Sequence, residues 1–196
     1  MLLSLATTQG AIAPPVRTFA RRSNLPLLPN QLWQIHSGVV RTLTWTEAGE
    51  VVTLGLWGPG DVLGIPLSSA DPLQAECVTE VVARSLQPQD WPQVTDALLR
   101  HARQTEELLS MVRSGPVQAT LIQVLNWLAQ RFGNEHDHGR RIALRITHQE
   151  LADLVGSTRV TVTKLLSTLE RQGFIHRHQR QIVVRPDRTP FWHYEI

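Results

Sequence analysis

Cysteine is almost absent: Cys77 is the only one in 196 residues. One thiol excludes a disulfide framework and any all-cysteine iron–sulfur or zinc centre within a single chain. It fits a reducing, cytoplasmic setting. In a strand-rich stretch a lone cysteine reads as a small core residue rather than a redox or haem-ligating site. No uninterrupted apolar run approaches the ~20 residues that cross a bilayer, so no membrane partner is expected. No nucleophile–base pair and no phosphate-cradling glycine loop stands out, and the chain does not read as an enzyme. His136-Asp137-His138 has the spacing of an exposed loop, so neither a metal nor another cofactor is expected. Residues 1–15 lack the basic start and unbroken apolar stretch of a signal peptide and read as a loose tail.

Hydrophobic residues make up 42% of the chain, enough to build real cores. The charge is uneven along it. Residues 1–130 carry 8 Arg against 10 acids, a net of −2, whereas residues 131–196 carry 10 Arg and Lys164 against 7 acids, a net of +4. A basic end points towards a polyanion. All but one of the 19 basic residues are arginine, which grips phosphate and guanine edges in bidentate fashion.

From Arg17 to about Trp91 the pattern is β. Runs such as Leu32-Trp33-Gln34-Ile35, 39–45 and 51–57 are rich in β-branched and aromatic residues, and Ser37-Gly38, Ala48-Gly49 and Gly58-Pro59-Gly60-Asp61 separate them. A further strand pair is expected within residues 73–86. Short, evenly spaced strands suit a small barrel or roll. Pro88 and Pro92 punctuate its end, and a helical pattern follows to about Val112. In it Leu98, Ala102, Thr105, Leu109 and Val112 alternate at steps of four and three, a heptad seam through which two copies of the helix can pack. Ser114-Gly115-Pro116 ends that helix. Ser114 is the expected cap of the next one and Pro116 suits its first turn. That helix runs to about Phe132 on an apolar face of Val117, Leu121, Val124, Leu125 and Leu128. Residues 133–139 read as a polar loop and residues 141–146 as a short strand.

The informative stretch begins at Thr147. Thr147 and Glu150 form a capping box for a short helix that buries Leu151, Leu154 and Val155. Gly156 permits a sharp turn, Ser157 or Thr158 caps a second helix, and that helix buries Val162, Leu165, Leu166 and Leu169 before ending at Gly173. Its other face presents Arg159, Val160, Thr163 and Lys164, and no acid occurs from Ser157 to Thr168. A hairpin of helices with a merely solvated face would mix lysine and glutamate there. The pattern is instead that of a helix-turn-helix set in the major groove of double-stranded DNA. Arg159 suits O6 and N7 of guanine, Val160 suits a thymine methyl, and Thr163 and Lys164 complete the base-reading set. Thr147, His148, Ser157, Thr158 and Thr161 suit phosphate oxygens. Residues 174–184 then place apolar flanks around a basic turn, the pattern of a wing whose Arg177 and Arg180 lie against phosphates.

These residues, above all 146–184, resemble the CRP/FNR superfamily of bacterial transcription regulators. The resemblance covers nearly the whole chain. Residues 156–166 are similar to the recognition helix of the cyanobacterial global nitrogen regulators. Ser37-Gly38-Val39-Val40 and Gly58-Pro59-Gly60-Asp61-Val62-Leu63-Gly64 resemble the family's strand–turn signatures. The resemblance implies an α+β chain: a tail at residues 1–16, a cyclic-nucleotide-binding-like β-roll at 17–90, a long dimerisation helix at 91–113 and a winged helix-turn-helix at 114–196. It also implies a homodimer on palindromic sites, Arg159 on a half-site guanine and Val160 near a thymine, with RNA polymerase as a candidate partner.

The family's cyclic-nucleotide chemistry is missing. Its members follow the glycine equivalent to Gly64 with a glutamate for ribose and later set Arg-Ser on the phosphate. Here Ile65-Pro66 and Leu73-Gln74-Ala75 stand in those places. A cyclic phosphate would lack a cation there, so cyclic AMP is not expected as effector, and the effector is left unassigned. The competing reading is a small-molecule receptor or enzyme built on the roll, with the C-terminal part used for protein contacts. Arg159→Ala separates the two, since only the DNA reading makes it lose function with the fold intact.

Overall fold

The computed structural model describes residues 16–113, 115–178 and 181–185. The tail (apart from Val16), the capping role of Ser114, the wing residue Arg180 and residues 186–196 lie outside them.

Among the described residues the N-terminal half has seven strands: β1 (Val16–Phe19), β2 (Leu32–Ser37), β3 (Val40–Trp45), β4 (Val51–Trp57), β5 (Val62–Leu63), β6 (Gln74–Cys77) and β7 (Val81–Leu86). They form two antiparallel sheets, ordered β1-β7-β2-β5 and β4-β3-β6. Phe19, Trp33, Ile35, Val40, Trp57, Leu63 and Cys77 from both sheets fill the space between them. The two buried indoles keep their N–H groups bonded, Trp33 to the Pro26 carbonyl at 2.8 Å and Trp57 to the Thr42 hydroxyl at 2.9 Å. Gly38, at φ 83°, turns β2 into β3; a Cβ there would stand 2.0 Å from the Glu80 carbonyl oxygen.

A 3-10 helix over Pro88–Val94 leads into α1 (Thr95–Arg113). The expected helical start near Trp91 therefore falls inside a tighter turn, where Pro92 cannot donate to an α-helical ladder. α1 lays one face on its own roll: Val94 and Ala97 are buried with Leu32, Val62 and Leu86, and Leu98 packs against them. The proposed seam is thus split. Leu98 and Val112 turn towards this chain's own cores, while Ala102 and Leu109 face outwards, joined by Leu99, and Thr105, also exposed, borders the roll. A stripe stepping by 3.5 residues drifts around a helix of 3.6 per turn, and here it lies on the border between the two faces.

α2 (Val117–Phe132) starts one residue after Pro116, which acts as the N-cap in an extended conformation instead of sitting in the first turn. Its carbonyl accepts the Thr120 N–H at 3.1 Å. The expected loop at 133–139 is instead a strand, β8 (Gly133–His136), hairpinned to β9 (Gly139–Ile142). β8 is a polar edge strand, mostly exposed, so no hydrophobic alternation announces it. His136 and His138 flank its turn with ring centres 6.0 Å apart. α3 (His148–Val155) and α4 (Arg159–Arg171) follow, then β10 (Ile175–His178) and β11 (Gln181–Val184). β8 to β11 form one sheet in the order β10-β11-β9-β8. Leu121, Leu125, Leu128, Leu151, Leu166 and Leu169 are the buried centre of this half. Among the described residues no helix is long and apolar enough to cross a membrane.

The halves are fastened at two places. Val39, Leu56 and Val78 of the roll share the C-terminal core, and beside them Arg41 bonds Glu76 at 2.7 Å and Asp153 of α3 at 3.4 Å. Asp61, buried in the turn between β4 and β5, accepts the Gly58 N–H at 2.7 Å, the Gln104 amide of α1 at 3.1 Å and the Arg131 guanidinium of α2.

Candidate nucleic-acid interface

The helix-turn-helix is shaped by its own short-range chemistry. The Thr147 hydroxyl accepts the Glu150 N–H at 3.1 Å and the Glu150 carboxylate accepts the Thr147 N–H at 2.6 Å, a reciprocal box that fixes where α3 begins. Gly156 closes α3 in the left-handed conformation, φ 65° and ψ 44°. Thr158, of the two expected caps, opens α4 by accepting the Thr161 N–H at 3.2 Å. α4 then buries Val162, Leu166 and Leu169, with Leu165 half-buried.

Arg159, Val160 and Lys164 stand exposed on the opposite side, at the N-terminal part of α4. Val160 is 63% exposed. Burying a valine is worth roughly 1.5–3 kcal/mol, so leaving one in water beside two cations is a standing cost that an apolar contact with a partner would recover. No side-chain hydrogen bond or ion pair engages the Arg159 guanidinium among the described residues.

Thr163 is placed differently. Its hydroxyl donates to the Arg159 carbonyl at 2.7 Å and lies 2.8 Å from Nδ1 of His148. Since the single hydroxyl proton is spent on the carbonyl, His148 donates from Nδ1, which fixes its tautomer. Thr163 thus braces α4 against α3, and its methyl group is what remains for a neighbour. Burial first, then the Arg177 and Arg159 charges, holds the His148 pKa below its ordinary 6.5. The ring is therefore neutral near pH 7. Ser157 and Thr161 are half-buried, and Thr147 and Thr158 exposed, all around the same helix starts.

The wing cation has a partner within the chain that no local pattern announced. Arg177 donates through Nε to Glu170 at 2.9 Å and through a terminal nitrogen at 2.5 Å, and its backbone N–H reaches the other carboxylate oxygen at 3.1 Å. These bonds hold the Glu170 pKa below the usual carboxylate range. They also clip β10 to the end of α4, aiming the wing. Arg180 lies outside the described residues.

Beside this face opens a cleft of about 580 Å³. Arg145, Thr147, His148, Arg159 and Arg177 line it, and so do Arg21 and Arg22 from the turn after β1, together with Gln149 and Gln181. Among the described residues no acidic side chain is in its walls. The adjacent pair Arg21-Arg22 is visible in the sequence, but nothing local says that it meets residues more than a hundred positions away.

Comparison with known proteins agrees with this geometry. Residues 120–188 match the Crp-like helix-turn-helix domain. The regulatory protein CysR of Synechococcus elongatus is 43% identical over 188 residues, covering 93% of this chain and 90% of that protein. The global nitrogen regulator of a Nostoc species is 28% identical over 198 residues, covering 89% and 87%. Among solved structures, a CRP-family transcriptional regulator from Thermus thermophilus superposes with a TM-score of 0.75 at 26% identity, covering 86% of this chain and 91% of that one.

Proposed function

The chain belongs to the CRP/FNR superfamily of DNA-binding transcription regulators, and from that premise we propose that two copies of it together read a palindromic DNA site without cyclic AMP. The observation that carries the reading is the acid-free exposed start of α4. Arg159 takes a guanine edge, Val160 a thymine methyl, and Lys164 a base or phosphate, each good base contact being worth about 1–3 kcal/mol of discrimination. Thr163 adds its methyl. Thr147, Ser157, Thr158 and Thr161 take phosphates through their hydroxyls, and His148 through its backbone N–H at the start of α3, and so set the register. Arg177 does the same once its bond to Glu170 is shared with DNA.

The homodimer rests on α1. Leu99 is 52% and Leu109 58% exposed, with Ala102 between them and Thr105 at the edge of the row beside the roll, on a helix whose other face is already packed. A second copy of α1 covers that row. Two recognition helices then meet half-sites one helical turn apart, about 34–36 Å, as in helix-turn-helix dimers generally.

Independence from cyclic AMP rests on the roll's cavity of about 240 Å³. Leu54, Trp57, Leu63, Leu73 and His101 line it, and among the described residues no arginine or lysine does. His101 stacks on Trp57 with ring centres 4.0 Å apart and bonds the Val62 carbonyl oxygen at 3.0 Å. Burial pushes its pKa down, so it offers no charge to an anion. The chain acts where the DNA is, in the cytoplasm. RNA polymerase is the partner through which such a dimer changes transcription.

Selection of bound sequences from a random duplex pool tests the reading. The wild type should enrich a two-fold symmetric sequence, equally with and without added cyclic AMP. Arg159→Ala should bind DNA in low salt while losing that enrichment. No enrichment by the wild type would refute the assignment.

A further inference from the structure

The cleft beside the recognition helix has one wall from the roll and one from the helix-turn-helix and wing, and that sharing is the point. We propose that it seats a run of DNA phosphates, so that Arg21 and Arg22 of the roll grip the same duplex that α4 reads. The inference rests on the DNA-binding reading and extends it to the N-terminal half.

Three observations support it. The first is charge density. Arg21, Arg22, Arg145, Arg159 and Arg177 converge on one open cleft with no carboxylate in its walls among the described residues. Of the five, only Arg177 has an ion-pair partner among the described residues. A single small anion would neutralise a fraction of that charge, whereas a duplex carries one negative charge per about 1.7 Å of its axis. The crowding is already felt by His148, whose pKa the neighbouring arginine charges help to lower.

The second is anchorage. Arg21 bonds the Val78 carbonyl oxygen through Nε at 2.9 Å, which leaves its two terminal nitrogens for a ligand. Arg22 donates its backbone N–H to the Cys77 carbonyl at 2.7 Å and sits at φ 66°, a left-handed conformation unusual for arginine. The turn is therefore held by β6, and the two guanidinium groups project from a fixed base.

The third is continuity. Thr147, His148 and Arg159 belong both to the cleft and to the face that reads bases, so a strand seated on that face runs directly into the cleft.

The test compares the full-length wild type, R21A/R22A and R21K/R22K on the duplex that the wild type itself selects, with affinity measured by fluorescence anisotropy from 50 to 200 mM salt. Two lost phosphate contacts reduce the log–log salt slope by about 1.8. Across that fourfold range of salt the wild type should lose about 12-fold more affinity than R21A/R22A. Sequence preference should be unchanged, because phosphate contacts carry none. R21K/R22K should keep most of the wild-type slope, showing that charge rather than loop integrity is read.

A wild-type slope and affinity in R21A/R22A would overturn the inference and leave the DNA reading standing. A lysine pair as defective as the alanine pair would also overturn it, as would inorganic pyrophosphate raising the wild-type melting temperature but not that of R21A/R22A while the DNA slope stays the same. The last result would make the cleft a small-anion site. A wild type without sequence preference would instead refute the assignment of function from which the inference starts.

Discussion

Replacing Arg41 by alanine perturbs the fastening between the roll and α3 most sharply. The guanidinium lies between Glu76 at 2.7 Å and Asp153 at 3.4 Å, and the three side chains are only 11%, 22% and 10% exposed. Removing the cation leaves two poorly hydrated carboxylates facing each other. Stripping one partner from a buried ion pair typically costs 3–5 kcal/mol. Residual exposure of Glu76 places Arg41→Ala at the low end, about 3 kcal/mol. For a chain of this length about 1 kcal/mol moves the melting temperature by roughly 2–4 °C, so a fall of about 6–12 °C is expected. Asp153→Asn, which keeps the Arg41–Glu76 pair, should cost less. The triple replacement Arg41→Met, Glu76→Gln, Asp153→Asn should recover part of the loss, because no charge is left stranded. Calorimetry on the four proteins decides. An Arg41→Ala chain melting within about 2 °C of the wild type, or a triple variant less stable than Arg41→Ala, would refute the argument that unpaired charge is what costs.

Other expectations concern single groups. His101 has its pKa lowered in the fold from 6.5, mainly by burial, so the unfolded chain takes up the proton first and stability falls as the pH drops below about 6.5. The melting temperature should decline from pH 7.5 to 5.5, and His101→Phe should remove His101's share of that decline. Cys77 is 0% exposed and burial pushes its thiol pKa upwards from 9.0. A maleimide reagent at pH 7.4 should leave the native protein unlabelled and react stoichiometrically in denaturant. Gly156→Ala meets no atom within 4 Å, so its only penalty is the left-handed backbone at φ 65°, about 1–2 kcal/mol. Denaturant midpoints should show that loss without a change in slope.

What the sequence made legible was local. Thr147 and Glu150 are three residues apart and announce their box, Gly156 announces a turn, and the β-branched and aromatic run at 51–57 announces β4. What it hid was either featureless or distant. β8 has no apolar rhythm because an edge strand needs none, only a partner in β9. The split of the α1 seam depends on where the roll stands, which no spacing within α1 encodes. Arg177 looked free because Glu170 lies across a turn on another element, and Arg41 and Asp153 are 112 positions apart. The start of α4 and its exposed face were therefore foreseeable, whereas the brace, the clip and the second basic wall were not.

Asp61 has a bearing on how the molecule turns. One carboxylate joins the Gly58 turn, Gln104 and Arg131, so roll, spine and reading head share a single pivot. None of the three can swing there without loosening its hold on the other two. The pitch of the helix-turn-helix against the roll is thus geared to the Gly58–Asp61 turn in the far half of the chain.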